Sequence, residues 1–205
     1  MLPYVIENEF KGKVDLNNIR AFDVVDRQMN LTNEVFFGYP GMVNDTGIRK
    51  PLFYAYYLLN GLGDTIVTKG EGYIATKSKG RYQILLYSYN KDIDNLIELR
   101  SFSKLKGLKN STEKKFSINV TQIPSEVRIT TYVIDEEVGS CFNYWLNMGK
   151  PVRLNKEEKE IMHKASFPEV SFQSAKKSAV LNIQTELKGY GAVLITIREV
   201  QKHLK

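Results

Sequence analysis

A mainly β chain is predicted: an antiparallel β-sandwich over residues 63–205, with a helical insertion near 139–167, preceded by an α/β segment over 1–62. Three observations predict it. From Asp64 onward, apolar residues recur at every second position in a series of short runs, the spacing of strands with one buried face. Thr, Tyr, Val and Ile enrich those runs, and turns of Gly, Asn, Pro and Ser separate them, which is the habit of a sandwich. Upstream, "PLFYAYYLLNGLG" has a helical period instead.

Residues 4–13, "YVIENEFKGK", read as the end of a helix. "IRAFDVV" has strand length, and polar Asp26 and Arg27 follow it at once. A buried strand that ends in polar residues at its C-terminal edge is typical of a parallel α/β barrel. The stretch "MNLTNEVFFGYPGMVNDTGIRKP" is rich in Gly, Asn, Pro and Asp and reads as a long loop. Pro51 then opens a helix, where its missing N–H costs nothing. Leu52, Tyr56 and Leu59, with Phe53 and Tyr57 beside them, give that helix a wide apolar stripe. Asn60 and Gly61 are expected to stop it, glycine accepting a left-handed conformation just past the end.

The glycines of "GLGD" and "KGEG" invite a phosphate-loop reading, but the order is wrong. A phosphate loop follows a strand and precedes a helix, whereas "GLGD" follows a helix and precedes a strand pattern. "KGEG" reads as the turn between two strands. The strand runs are "TIVTKG", "GYIATKS", "RYQILLYSYN", "NLIELRSFSKL", "KKFSINVTQIP", "EVRITTYVID", "EVSFQSAKKSAVLNIQTEL" and "GAVLITIREV". The insertion holds "SCFNYWLNMG", a helix with a glycine stop, and "NKEEKEIMHKAS", where Asn155 and Glu158 form a candidate capping box.

Composition narrows the function classes. Apolar residues at 42% and charged residues at 25% of 205 residues suit a globular core. No run approaches the roughly 20 apolar residues of a membrane span, and "MLPYVIENEF" lacks the parts of a secretory signal. The single cysteine, Cys141, gives no disulfide framework and fits a reducing compartment, so a cytoplasmic location is expected. Two histidines, His163 and His203, far from that cysteine, do not make a zinc site, and no cofactor or metal is expected. The net charge of +6 is spread along the chain, apart from "KLKGLKNSTEKK" at 104–115, which reads as a solvated hairpin tip. With no helix-turn-helix pattern and no aromatic-basic sheet signature, no direct nucleic-acid contact is expected.

Two blocks carry a family resemblance. "GIRKPLFYAYYLLNGLGDTIVTKGEGYIATKS" followed by "YQILLYSYN" resembles the passage from barrel to sandwich in family-39 glycoside hydrolases, which include β-xylosidases. The second block is "YWLNMGKPVRLNKEEKEIMHKASFPEV". It resembles the family's insert through Trp145, Met148, Gly149, Pro151, Leu154, Glu157, Glu158, Ala165, Ser166 and Pro168. The likeness runs from about residue 19 to 200.

The resemblance implies that 1–62 is a remnant, last strand and helix, of a (β/α)8 barrel, and that the sandwich is the accessory domain. It also implies what is missing. Family members cut a glycoside with two glutamates, one in an Asn-Glu-Pro motif, held roughly 5 to 5.5 Å apart. No Asn-Glu-Pro occurs in these 205 residues, so no catalytic residue is assigned. The strand itself departs from the family's aromatic pattern, reading Ala21, Phe22, Asp23, Val24, Val25, Asp26. Some AraC-type regulators resemble the same family in their C-terminal halves.

Three functions are therefore carried forward: a non-catalytic C-terminal region of a β-xylosidase-like protein supporting its barrel, the effector region of an AraC-type regulator, and a carbohydrate-binding sandwich. The residues examined for ligand contact are Asp23 and Asp26 at the barrel-strand end, Tyr39 and Asn44 in the loop after it, and Trp145, which could stack on a sugar or anchor the core. Glu7 and Glu9 lie two apart and cannot face one another on a helix. They read as solvated. An oligosaccharide is the expected partner, through the parent barrel. Self-association is expected through the barrel-remnant helix, whose apolar stripe would lack its cover.

Overall fold

The computed structural model describes residues 3, 5–7, 20–22, 35, 41–89, 113–123 and 125–200. In chain order the elements are β1 Arg20–Phe22, β2 Gly41–Val43, α1 Pro51–Asn60, β3 Thr65–Gly70, β4 Tyr73–Ser78, β5 Arg81–Ser88, β6 Glu113–Ile123, β7 Val127–Ile134, α2 Phe142–Asn147, α3 Lys156–Ala165, β8 Glu169–Ala175, β9 Ser178–Lys188 and β10 Gly191–Glu199. An antiparallel six-stranded sheet runs β3-β4-β5-β10-β7-β8, and a second, two-stranded antiparallel sheet pairs β6 with β9. β1 and β2 form a separate parallel pair.

The central strands of the large sheet explain the architecture. "ILLY" in β5 and "AVLITI" in β10 are unbroken apolar runs, the pattern of strands buried on both faces. One face sets Ile84 and Leu86 with Val193, Ile195 and Ile197 against Phe116, Ile118, Ile183 and Leu187 of the small sheet. On the other, Leu85, Tyr87, Leu194 and Ala192 pack with Tyr54, Ala55 and Leu58 of α1 and with Val5 and Ile6. The helix thus covers the sandwich's outer face. Its buried positions are Tyr54, Ala55 and Leu58, while Tyr57, expected within the stripe, is exposed. The buried line is thus turned by about one residue from the expected stripe, toward the large sheet.

Three expectations change. Gly61 is not left-handed, with φ −76°. Its lack of a side chain is used for close approach, since a Cβ there would meet Leu194 Cδ2 at 2.6 Å. Gly63 likewise lies against the Lys77 backbone, and its N–H donates to Thr76 Oγ1 at 2.8 Å. "GLGD" is therefore the joint that lays α1 onto the sheet. Second, the long loop contains β2, and Asn44 folds the chain back just after it. Third, "EVSFQSAKKSAVLNIQTEL" is two strands that part at Lys176 and Lys177, β8 joining the large sheet and β9 the small one. A period of two cannot reveal a change of sheet, because both strands keep it. The run "NLIELRSFSKL" lies outside the described residues.

The insertion forms a smaller core of its own. Cys141, Trp145, Leu154 and Met162 pack with Val35 and Ile48, tying α2 and α3 to the segment that precedes α1. The capping box is present: Asn155 Oδ1 accepts from Glu158 N at 2.9 Å, and Glu158 Oε2 accepts from Asn155 N at 2.7 Å. Burial pushes the Cys141 thiol up to about 12, so it is an inert small hydrophobe rather than a nucleophile.

Candidate functional site

A concavity of about 680 Å³ lies between the large sheet and β6. Tyr73, Ala75, Tyr82 and Ile84 floor it, Thr68 flanks it, and β6 from Lys115 to Thr121 forms the far wall. Tyr73 and Tyr82 are 37% and 43% exposed. They share a face on adjacent strands, since Tyr73 pairs with Leu86 and Tyr82 with Lys77. Four residues of strand separate them, or about 13 Å.

Two polar side chains of that wall, Ser117 and Asn119, have a partner on β9. Asn182 Nδ2 donates to Ser117 Oγ at 3.1 Å and to Asn119 Oδ1 at 2.9 Å, drawing both onto the outer face of the small sheet. No carboxylate is among the described lining residues. What remains is a floor of tyrosine and aliphatic groups beside a strand edge.

A second cavity, about 460 Å³, does contain adjacent carboxylates, Asp135 and Glu136. Both serve the backbone. Asp135 Oδ1 accepts from Glu137 N at 2.8 Å and Val138 N at 3.0 Å, and its Oδ2 accepts from Lys188 N at 3.0 Å. Glu136 Oε1 accepts from Tyr190 N at 3.2 Å. The pair clamps the β7–α2 loop to the β9–β10 turn. Among the described residues no group of three or more His, Cys, Asp or Glu could hold a metal.

Of the residues singled out in the sequence, Asp23, Asp26 and Tyr39, together with Glu9, lie outside the described residues. Asn44 is buried at 2% exposure. Its Oδ1 accepts from Thr46 N at 3.1 Å, Thr46 Oγ1 at 2.9 Å and Ile48 N at 2.7 Å, while Nδ2 donates to the Val35 carbonyl at 3.1 Å. These bonds all go to its own loop, and the side chain is buried away from a ligand's reach. We predict that Asn44→Ala lowers unfolding free energy by about 2 kcal/mol through these unmet buried groups, measured by urea denaturation. A variant as stable as the parent chain would contradict the turn's role.

Trp145 is 6% exposed, and its Nε1 donates to the Pro151 carbonyl at 3.0 Å. The indole is an anchor of the small core, with no open face for a sugar ring. Glu7 differs from the solvated reading: it is half-buried and accepts a hydrogen bond from the Tyr87 hydroxyl. Burial, then this carboxylate, raises the Tyr87 hydroxyl well above its ordinary range, so Tyr87 stays a neutral donor. Glu7 and Trp145 are separate from each other and from the groove, so these residues do not assemble into one site.

Sequence reasoning missed Arg49. Its guanidinium sits over both Phe53, at 4.9 Å, and Phe167, at 5.0 Å, a double cation–π contact joining α1 to the end of the helical insertion. Phe53 at i+4 was a visible signal; Phe167, far along the chain, was not.

The described residues form a mainly β domain: two antiparallel sheets, a helix on the outer face of the larger one and a helical insertion. The chain belongs to glycosyl hydrolases family 39, whose model matches residues 5–181. It is 24% identical over 189 residues to a β-xylosidase of Geobacillus stearothermophilus, a match spanning 92% of this chain and 34% of that protein. It is 21% identical over 171 residues to an uncharacterized HTH-type transcriptional regulator of Staphylococcus aureus (strain MRSA252), spanning 80% of this chain and 20% of the regulator. A solved monomeric β-xylosidase of Caulobacter crescentus CB15 shares the fold, with a TM-score of 0.68 at 19% identity over 82% of this chain and 34% of that one. The chain thus spans about a third of the length of the β-xylosidases it matches. No helix among the described residues is long and apolar enough to cross a membrane.

Proposed function

We propose that the chain is the non-catalytic C-terminal region of a β-xylosidase-like protein, and that its sandwich supports a barrel. The observation that carries this reading is the family match over residues 5–181, which includes no Asn-Glu-Pro, beside a match that covers 34% of a β-xylosidase. Retaining hydrolysis needs two facing carboxylates, and the adjacent pair in the second cavity is spent on backbone N–H groups. On this reading β1 and α1 are the barrel's last strand and helix. The parallel β1–β2 pairing supports it. Hydrolysis of a β-xyloside or similar glycoside would be performed by carboxylates of the barrel, outside these residues. A cytoplasmic location belongs to the same proposal.

The match to a transcriptional regulator favours a second reading, in which the same sandwich is the C-terminal effector region of an AraC-type protein. Genomic sequence upstream of the first codon separates the two. Barrel strands with an Asn-Glu-Pro are the expected finding; a helix-turn-helix there would transfer the proposal to the regulator.

A further inference from the structure

The two edges of the six-stranded sheet are finished differently. At β3 the register with β4 shifts between Ile66 and Thr68, and Lys69 follows. A bulge and a lysine are the usual devices that keep an edge from pairing with another chain. At the opposite edge, β8 runs beside β7 in unbroken register from Glu169 to Ala175. It contains no Pro, no bulge and no Lys, and six of its seven residues are exposed. Phe172, in the middle of the strand, is 69% exposed, more than any other large apolar residue described.

We propose that β8 is an interface with a second copy of this chain, in which the two β8 strands pair antiparallel about a two-fold axis at Phe172. The sequence of the strand is complementary to itself in that register. Phe172 opposes its own copy, Val170 opposes Ser174, Ser171 opposes Gln173 and Glu169 opposes Ala175. Phe172 pairs with Thr130 and Val170 with Tyr132 inside the chain, so both project on the face that carries α1. The two phenyl rings therefore meet on one face, where directly opposed aromatic residues attract. Glu169, at the start of each strand, is brought beside Lys176 and Lys177 just past the end of the other. Opposite charges meet at both ends of the ladder, and the like-charge contact that would penalise the pairing is absent from the strand. The two sheets then continue as one, and the row of backbone N–H and C=O groups that β8 leaves open among the described residues is satisfied.

This route differs from association through α1, whose apolar face the sheet already covers. It rests on residues of this chain, not on its relatives, one of which is described as monomeric.

Light scattering on the size-exclusion eluate of the full chain, over a concentration series, tests it. The expected species has twice the 23.5 kDa chain mass. Phe172→Lys, at a site exposed enough not to disturb folding, is expected to weaken the dimer at least tenfold. Glu169→Lys is expected to weaken it less, and adding Lys177→Glu should restore it. Tyr57→Asp, on the exposed side of α1, should leave the mass unchanged. A monomer at every concentration, or a dimer indifferent to Phe172→Lys, would overturn the proposal. So would a charge swap that fails to restore pairing.

Discussion

Ile195→Ala is expected to lower the unfolding free energy by about 3 kcal/mol, within the range for emptying a fully buried aliphatic site. Ile195 has no exposed surface and lies mid-strand in β10, between Ile84 of β5 and Thr131 of β7. It faces the small sheet, so the vacated volume would sit in the side-chain layer between the two sheets. Neighbours on strands are held by their ladders and cannot collapse into the gap, which is the condition for a high cost. A loss of that size should lower the melting temperature by roughly 6 to 12 °C for a domain this long. Val180→Ala in the same cooperative unit, 52% exposed on β9, should stay within about 0.5 kcal/mol. Equal effects at the two positions would mean that the small sheet is not packed where the structure puts it.

Asp135→Ala should be nearly as costly, by about 2 to 4 kcal/mol, for a different reason. The carboxylate is 8% exposed and accepts three backbone N–H bonds, from Glu137, Val138 and Lys188. Removing it strands those donors, and a buried donor left unmet costs about 1 to 3 kcal/mol. Asp135→Asn keeps one acceptor oxygen and is expected to recover much of the loss. Chemical denaturation of both variants provides the test. If alanine and asparagine behaved alike and harmlessly, the two carboxylates of that cavity would be free for another task, and their structural role would be refuted.

Much of the fold was legible because the physics is local. Pro51, the alternation after Asp64, the Asn155–Glu158 pair and the "KGEG" turn each state their structure within a few residues, and each appears where expected. The rest depended on contacts between distant residues. Gly61 looked like a helix-stop glycine, yet what requires it and Gly63 is the closeness of Leu194 and the Lys77 backbone. The cover over α1 could not be read from its stripe, because the same leucines and tyrosines suit a barrel or a sheet. The divergence of β8 and β9 at two lysines left no mark in the pattern. For the site, residue type misled more than position did. Asn44 and Trp145 have the chemistry of ligand contacts, but burial and bonds to their own loops consume it. The groove's tyrosines went unremarked because Tyr73 and Tyr82 come together only through the β4–β5 register.

The reading as a supporting domain has a direct consequence for chemistry. Purified to homogeneity and supplied with an aryl β-xyloside, the full 205-residue chain should release no aglycone above the rate of buffer alone. Its Glu7→Gln, Glu9→Gln double variant should behave in the same way. Turnover that co-purifies with the chain, above all turnover abolished by that double change, would show that a working carboxylate pair exists within these residues and would contradict the account.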